Sequence, residues 1–244
     1  MLEQLDLERV LVLDIETVSQ QQDFEGLNDS WKELWKLKAA NLKGADQQTP
    51  EELYSRAGIY AEFGKIVCIS VGIFRAFGDG FQFRVKSYFS HDEKELLSEF
   101  AELLNGSFDN NRYLLAAHNG KEFDFPYMSR RMTIHGMKLP LLLDTPGKKP
   151  WEVPHIDSME LWKFGDYKSF TSLKLLAQVF DIPTPKDDID GSQVGQVYWE
   201  ENNLDRIRIY CQKDVITVAQ LLLRFQGKPL LSEEAIIFAD QENA

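Results

Sequence analysis

The stretch Val10–Ser19, VLVLDIETVS, ends a short run of branched apolar residues with two acids one residue apart. Residues 8–15 have the composition of a buried strand. Successive side chains of a strand point to opposite faces, so Asp14 and Glu16 share one face and Ile15 points to the other. A carboxylate beside an apolar core is costly unless something compensates its charge. These two acids are therefore either a solvated strand end or half of a site that holds positive charge.

The rest of the chain carries alternating strand and helix patterns. KIVCISVGIFR and FQFRVKSYF flank a Gly-Asp-Gly turn at 78–80, which predicts an antiparallel hairpin. A helix with Ser90 and Glu93 as a capping box follows, then the strand RYLLAAHN and the helix DFPYMSRRMTIHG. The last long helix has an apolar stripe that we assign to Ile207, Ile209, Val215, Val218 and Leu222. This order predicts an α/β fold with a mixed sheet.

The domain organisation follows from composition. The chain has 244 residues, 43% of them hydrophobic, and no linker or repeat divides it, so we expect a single domain over 1–244. Residues 20–63 carry helix patterns instead of strand patterns, and one of these helices has a predicted capping box of Thr49 and Glu52. We therefore interpret residues 20–63 as a helical insertion after the acid pair of the first strand. The Trp and Leu stripe of that insertion predicts core packing rather than substrate contact.

Charge and cysteine usage exclude some classes of protein. A net charge of −12 argues against a protein that coats nucleic acid through a basic surface, but it allows an enzyme that holds phosphates through cations. No signal-peptide or membrane-span pattern is present, so we expect no membrane association. Cys68 and Cys211 lie in apolar runs without metal-type spacing, which predicts a reduced, cytoplasmic protein.

Acids recur at two further places in the chain. Asp124 stands at the mouth of a helix that follows a strand, where Asp is also an ordinary helix cap. Tyr210 and Asp214 are four residues apart and share one helix face; the Tyr could be core, but an unpaired acid beside buried residues is costly. Four converging carboxylates cannot all ionise without cations, and hard oxygen ligands select Mg²⁺ or Mn²⁺. Two such ions suit phosphoryl transfer.

These segments carry a family resemblance. LDIET, HNGKEFDFPYMSRR and YCQKDV resemble the three motifs of the DEDD superfamily of 3′–5′ exonucleases, and above all the proofreading domain of family-B DNA polymerases. The resemblance extends from about residue 10 to 223. It implies a ribonuclease-H-like three-layer fold, with a mixed central β-sheet flanked by helices. Ile209 stands where a second branch of the superfamily has His, so the Tyr branch is implied.

The resemblance also implies roles in catalysis. Asp14, Glu16 and Asp214 would hold one divalent cation, Mg²⁺ or Mn²⁺. Asp14 would bridge to a second cation, to which Asp124 would contribute directly or through water. Tyr210 would orient and help to activate the attacking water. Together these residues would make a 3′–5′ exonuclease that works by a two-metal mechanism.

The implied substrate is the 3′ end of a single-stranded nucleic acid. Asn119 and Phe123 would flank its terminal nucleotide, and Thr17 would be a third substrate contact. DNA is favoured over RNA because the resemblance is to a DNA proofreading domain. The chain stops soon after the third motif, so we expect any polymerase or repair factor to act as a partner in trans.

Two other functions are compatible with parts of the pattern. A haloacid-dehalogenase-like phosphatase also has a strand-end acid pair, but it needs Asp where Glu16 stands and leaves Asp124 and Asp214 without a role. A catalytically silent nucleic-acid-binding module of the same fold has no need of four costly carboxylates. Nuclease activity that survives loss of Asp14 and Glu16 would contradict the metal hypothesis.

Overall fold

The structure contains the four strands that the sequence predicts and two short ones, Ile156–Asp157 and Ile236–Phe238, that it does not. A computed structural model describes residues 4–110, 112–166, 170–183 and 189–239. Its strands are β1 (Val10–Ser19), β2 (Gly64–Phe77), β3 (Gly80–Phe89), β4 (Leu114–Ala117), β5 (Ile156–Asp157) and β6 (Ile236–Phe238). They form one sheet in the order β5-β4-β1-β2-β3-β6. β1 is antiparallel to β2 and parallel to β4, so the sheet is mixed.

Helices cover both faces of this sheet. They are α1 (Asp29–Ala39), α2 (Pro50–Leu53), α3 (Glu93–Ser107), α4 (Asp124–Ile134), α5 (Ser158–Lys163), α6 (Leu173–Val179), α7 (Val194–Trp199) and α8 (Leu204–Phe225). Apolar residues of α3 and α4 pack on one face of the sheet, and those of α8 pack on the other. Within the described ranges, no helix combines the length and apolarity that a membrane span requires.

Strand β1 shows the alternation that places the acid pair. Its odd-numbered apolar residues pack with α3 and α4. Val10 and Val12 pack on the opposite face, with residues of α8. Asp14 and Glu16 continue this even-numbered face. The predicted orientation of the two carboxylates is therefore confirmed, and the element that covers them is α8.

Residues 20–63 contain α1, α2 and a 3₁₀-helix over Tyr54–Ile59. Trp35 is fully buried, and its Nε1 donates a hydrogen bond of 2.7 Å to the carbonyl of Pro50. The prediction of core packing is confirmed for this residue, whereas Leu34 and Leu37 of the same stripe are exposed. The predicted capping box of α2 is present. The assignment of 1–244 to one domain with an insertion stays a prediction.

Two local predictions are wrong. The N-cap of α3 is Asp92, and the predicted partner Glu93 is buried and accepts a hydrogen bond of 2.9 Å from Arg131 Nε instead. Ile209 is 46% exposed and does not belong to the apolar stripe of α8. The other four predicted residues of that stripe, Ile207, Val215, Val218 and Leu222, are buried. Ile209 falls outside it because it lies two residues from Ile207, which turns its side chain by about 200° around the helix.

Candidate active site

The acid pair lies at the carboxyl end of β1. Asp14 pairs across the sheet with Ser70 and Glu16 pairs with Cys68, and the register shifts directly after Glu16. Such a bulge re-aims the side chains at the end of a strand. Glu16 is 7% exposed, so its carboxylate is turned into the protein rather than toward solvent. The alternative of an ordinary solvated strand end does not fit this burial.

Asp124 is tied directly to β1. It is 3% exposed, and its Oδ1 accepts a hydrogen bond of 3.2 Å from the backbone N–H of Ile15. The N-cap residue of α4 is Phe123, whose side chain makes no capping hydrogen bond. Asp124 is therefore the first residue of α4 and not its cap, and its carboxylate links α4 to the residue between the two acids of β1.

Helix α8 supplies the remaining predicted residues. Tyr210 and Asp214 are partly buried. The charge of Asp214 raises the pKa of Asp14, and the charges of Asp214, Glu16 and Asp14 in turn raise the pKa of Tyr210. One residue after Tyr210, the Sγ of Cys211 donates a hydrogen bond of 3.4 Å to the backbone carbonyl of Asp14. This contact holds the middle of α8 against the end of β1. The structure thus brings together the five predicted catalytic residues, Asp14, Glu16, Asp124, Tyr210 and Asp214.

The crowding of acids changes their pKa values. Burial raises the pKa of Asp14 well above its usual range, and the charges of Glu16, Asp214 and Asp124 raise it further. The pKa of Glu16 is raised in the same way, first by burial and then by Asp214. Burial also raises the pKa of Asp124, to about 7. Carboxylates in such a cluster either hold protons or share bound cations.

The cluster has the donors that a hard divalent cation needs. Oδ2 of Asp14 is buried and, within the described part of the chain, has no hydrogen-bond partner. A buried unpaired carboxylate oxygen is expensive unless a ligand satisfies it. Ligand atoms of Asp14, Glu16 and Cys211 lie within 4.8 Å of one another. The carboxylate oxygens are ligands of the kind that Mg²⁺ or Mn²⁺ prefers, and a bound cation would satisfy the unpaired oxygen of Asp14.

A cleft of about 650 Å³ opens beside Glu16. Thr17 and Phe123, two of the predicted substrate contacts, line it. Asn119, the third, is not among the described residues that line it. It has a positive φ of 62° in the loop before α4, and its Oδ1 is buried without a hydrogen-bond partner among the described residues.

A comparison with known protein families assigns the chain to one of them. Residues 59–234, well over half of its length, match a family described as predicted 3′–5′ exonucleases related to the exonuclease domain of PolB. The chain belongs to this family. The matched range includes Asp124, Tyr210 and Asp214 and begins after Asp14 and Glu16. Asp14 and Glu16 therefore lie outside the matched range, and the structure links them to it by placing them beside Asp124 and Asp214.

A solved structure supports the fold. The family-B DNA polymerase from the hyperthermophilic archaeon Pyrobaculum calidifontis is similar over 88% of this chain, with a TM-score of 0.52 and 18% sequence identity. The similarity covers 24% of the polymerase chain. At this identity the likeness speaks for the fold alone. The predicted ribonuclease-H-like fold, with its mixed sheet between helical layers, is confirmed.

Two residues at the site were missed in the sequence. The sequence did not indicate a role for Cys211, because it has no Cys or His neighbour at metal-type spacing. It does, however, follow Tyr210 directly and share a helix face with Asp214. Asp157 of β5 accepts hydrogen bonds from the backbone N–H groups of Asn119 and Lys121, at 2.9 and 3.1 Å. Its signal was an acid at the end of a strand beside the loop of the second motif.

Proposed function

We propose that this protein is a metal-dependent 3′–5′ exonuclease of the Tyr branch, which hydrolyses phosphodiester bonds at the 3′ end of single-stranded nucleic acid. One observation carries the proposal: Asp14, Glu16, Asp124 and Asp214 converge from three elements, and burial together with the charge of Asp214 raises the pKa values of the other three. Membership in a family of predicted exonucleases supports the reaction class.

Each acid has a separate task in this proposal. Asp14, Glu16 and Asp214 hold one cation, and Asp14 with Asp124 holds the second. Divalent cations bound there would neutralise the negative charge of a phosphodiester and stabilise the charge that develops on its oxygens during hydrolysis. The backbone N–H of Ile15 fixes one oxygen of Asp124, which leaves the other oxygen for a cation or its water.

Tyr210 acts as a hydrogen-bond donor in this site. Burial, followed by the charges of Asp214, Glu16 and Asp14, raises the pKa of its phenol far above neutrality. The hydroxyl therefore keeps its proton at pH 7 and orients the attacking water by donating or sharing a hydrogen bond.

Replacing Tyr210 with Phe tests this role. We expect kcat to fall about 10²-fold and KM to change little, because the lost hydroxyl acts on the water and not on substrate binding. Single-turnover hydrolysis of a labelled oligonucleotide measures the effect. Tyr113→Phe, in the loop before β4, is the matched control. Equal rates for the two variants would remove Tyr210 from the mechanism.

The substrate and setting are part of the same proposal. We propose DNA in preference to RNA, and a polymerase or repair factor as a partner in trans, because the family is related to a polymerase exonuclease domain. The placement in the cytoplasm rests on the two buried, unpaired cysteines, Cys68 and Cys211, and stays a prediction.

The rival functions explain less of the site. A phosphatase built on the β1 acids gives no reason for Asp124 and Asp214 to converge on them. A silent binding module gives no reason to bury an unpartnered oxygen of Asp14. The phosphatase would release phosphate and the silent module would release nothing, so one assay separates both from the exonuclease.

The decisive experiment is digestion of single-stranded oligonucleotides labelled at the 5′ end, in DNA and RNA form, with Mg²⁺, Mn²⁺ or EDTA. We expect a ladder of products shortened from the 3′ end with either cation and none with EDTA. A 3′-phosphate removed from an oligonucleotide of unchanged length would indicate the phosphatase. Binding without any cleavage under all conditions would indicate the silent module.

A further inference from the structure

The insertion forms one wall of the cleft beside Glu16. Ser55, Arg56, Gly58 and Ile59 of its 3₁₀-helix line the cleft, which is continuous with the end of β1. A Cβ at Gly58 would lie 3.0 Å from the backbone carbon of Val18, so only Gly allows this close approach. The 3₁₀-helix is therefore seated directly against the strand that carries the acid pair.

A second contact fixes this wall to the helix of the second motif. The hydroxyl of Tyr127, on α4, donates a hydrogen bond of 2.7 Å to the carbonyl of Gly58. Gly64 allows this packing, because a Cβ there would lie 2.3 Å from the same hydroxyl. Two elements that carry proposed cation ligands, β1 and α4, thus hold the 3₁₀-helix in a defined place.

Arg56 is the one basic residue among the described residues that line the cleft. Its Nη1 donates a hydrogen bond of 2.9 Å to the carbonyl of Lys43, and no carboxylate pairs with it in the described ranges. The chain has 39 acidic and 27 basic residues, and the lining itself includes Glu16 and Glu200, so a guanidinium without an acidic partner is notable. Its remaining N–H groups can donate to an anion.

Helix α7 also lines the cleft. Gln196 and Trp199 line it, and Nε1 of Trp199 is buried without a hydrogen-bond partner among the described residues. Lys65 lies over the ring of Trp199, 5.1 Å from its centroid, so the ring is held in place from one side. A cleft of about 650 Å³ with an aromatic side chain in its lining has the size of a small-ligand site.

We propose that the insertion is a substrate clamp, in which Arg56 binds a backbone phosphate of a single strand whose 3′ end lies at the acid cluster. The cations neutralise the scissile phosphate, and Arg56 supplies positive charge to a phosphate further along the strand. α7 also lines the cleft, so a strand that enters it contacts both the insertion and α7. This inference rests on the proposed function and assigns the role of residues 20–63 within it.

Binding and turnover of single-stranded DNA by Arg56→Ala test the clamp. Fluorescence anisotropy with Ca²⁺ gives Kd over a range of salt, and hydrolysis with Mg²⁺ gives kcat and KM. We expect Kd and KM to rise about tenfold and kcat to change less than about twofold. One lost phosphate contact should also reduce the slope of log K against log salt by about 0.7.

Two further variants make the result specific. Arg56→Lys keeps the charge and should retain most of the salt slope. Arg75→Ala, an exposed residue near the far end of β2, should match the wild type in every measurement. If the wild type degrades DNA and Arg56→Ala binds it like Arg75→Ala, the clamp is wrong and the exonuclease proposal stands. If the wild type does not release nucleotides, the proposed function fails first.

Discussion

Asp14→Asn is expected to lower kcat/KM for release of 3′-terminal nucleotides by at least about 10³-fold. Asn keeps the shape of the side chain but removes the charge that a bridging position between two cations requires. Losses of this size are typical when a group that stabilises developing charge is removed. Initial rates on an end-labelled oligonucleotide at saturating Mn²⁺ measure the loss.

Asp214→Asn is expected to cause a loss of similar size, and the double variant should be little worse than either single one. Residues that act as one unit in catalysis are strongly non-additive. Asp205→Asn, at the exposed first turn of α8, keeps the same helix and the same change of side chain and should retain wild-type rates. Activity of Asp14→Asn within tenfold of the wild type would show that the cluster is not the catalytic centre.

The stability of the metal-free protein is expected to fall as pH rises, and divalent cations should reverse the fall. The pKa values of Asp14, Glu16 and Asp124 are raised in the folded protein, that of Asp124 to about 7. The folded state therefore binds more protons than the unfolded state above about pH 4. These groups contribute their stability fully below that pH, and it is lost as pH rises through their folded pKa values.

Two histidines have the opposite effect on stability as pH rises, so the measurement needs a variant as its control. Burial lowers the pKa of His118 and His155, so their contribution is present above about pH 6.5 and is lost as pH falls through their lowered folded values. Thermal unfolding should therefore compare wild type with Asp14→Asn at each pH in EDTA. We expect the variant to be more stable than the wild type, by a margin that widens from pH 5 to pH 8.

Cations complete the measurement. Mg²⁺ or Mn²⁺ should raise the Tm of the wild type more at pH 8 than at pH 5, because protons and cations compete for the same oxygens. Asp14→Asn should lose most of this effect. A wild-type Tm that rises relative to the variant with pH in EDTA would contradict the raised pKa values.

The sequence was sufficient where local periodicity decides the structure. The period of two in β1 correctly placed Asp14 and Glu16 on one face. Val10 and Val12 are buried against α8, and the even-numbered residues that follow them in the strand point to the same side of the sheet. The glycine turn at 78–80 likewise predicted the β2–β3 hairpin, whose register then follows from the turn. The resemblance of the three motifs to those of the DEDD exonucleases implied the ribonuclease-H-like fold.

The sequence was insufficient where distant segments decide. β6 is three residues long and is added to β3 by pairing across about 150 residues, which no local pattern records. Glu93 fitted a capping box, but Arg131 is a stronger partner for a buried carboxylate than a backbone N–H. Arg56 showed no signal at all, because its place beside Glu16 depends on the absence of a side chain at Gly58.

Asp157 is an acid beside the cluster that is not one of the proposed cation ligands. It is close enough to Asp124 to raise the pKa of that residue. Backbone N–H groups of Asn119, Met159 and Glu160 donate to its Oδ1, and that of Lys121 donates to its Oδ2. To coordinate a cation through Oδ1, Asp157 would have to give up hydrogen bonds that hold the turn before α4. Asp157 therefore acts on the cluster through its charge and through the backbone of the second motif, outside the proposed ligand set.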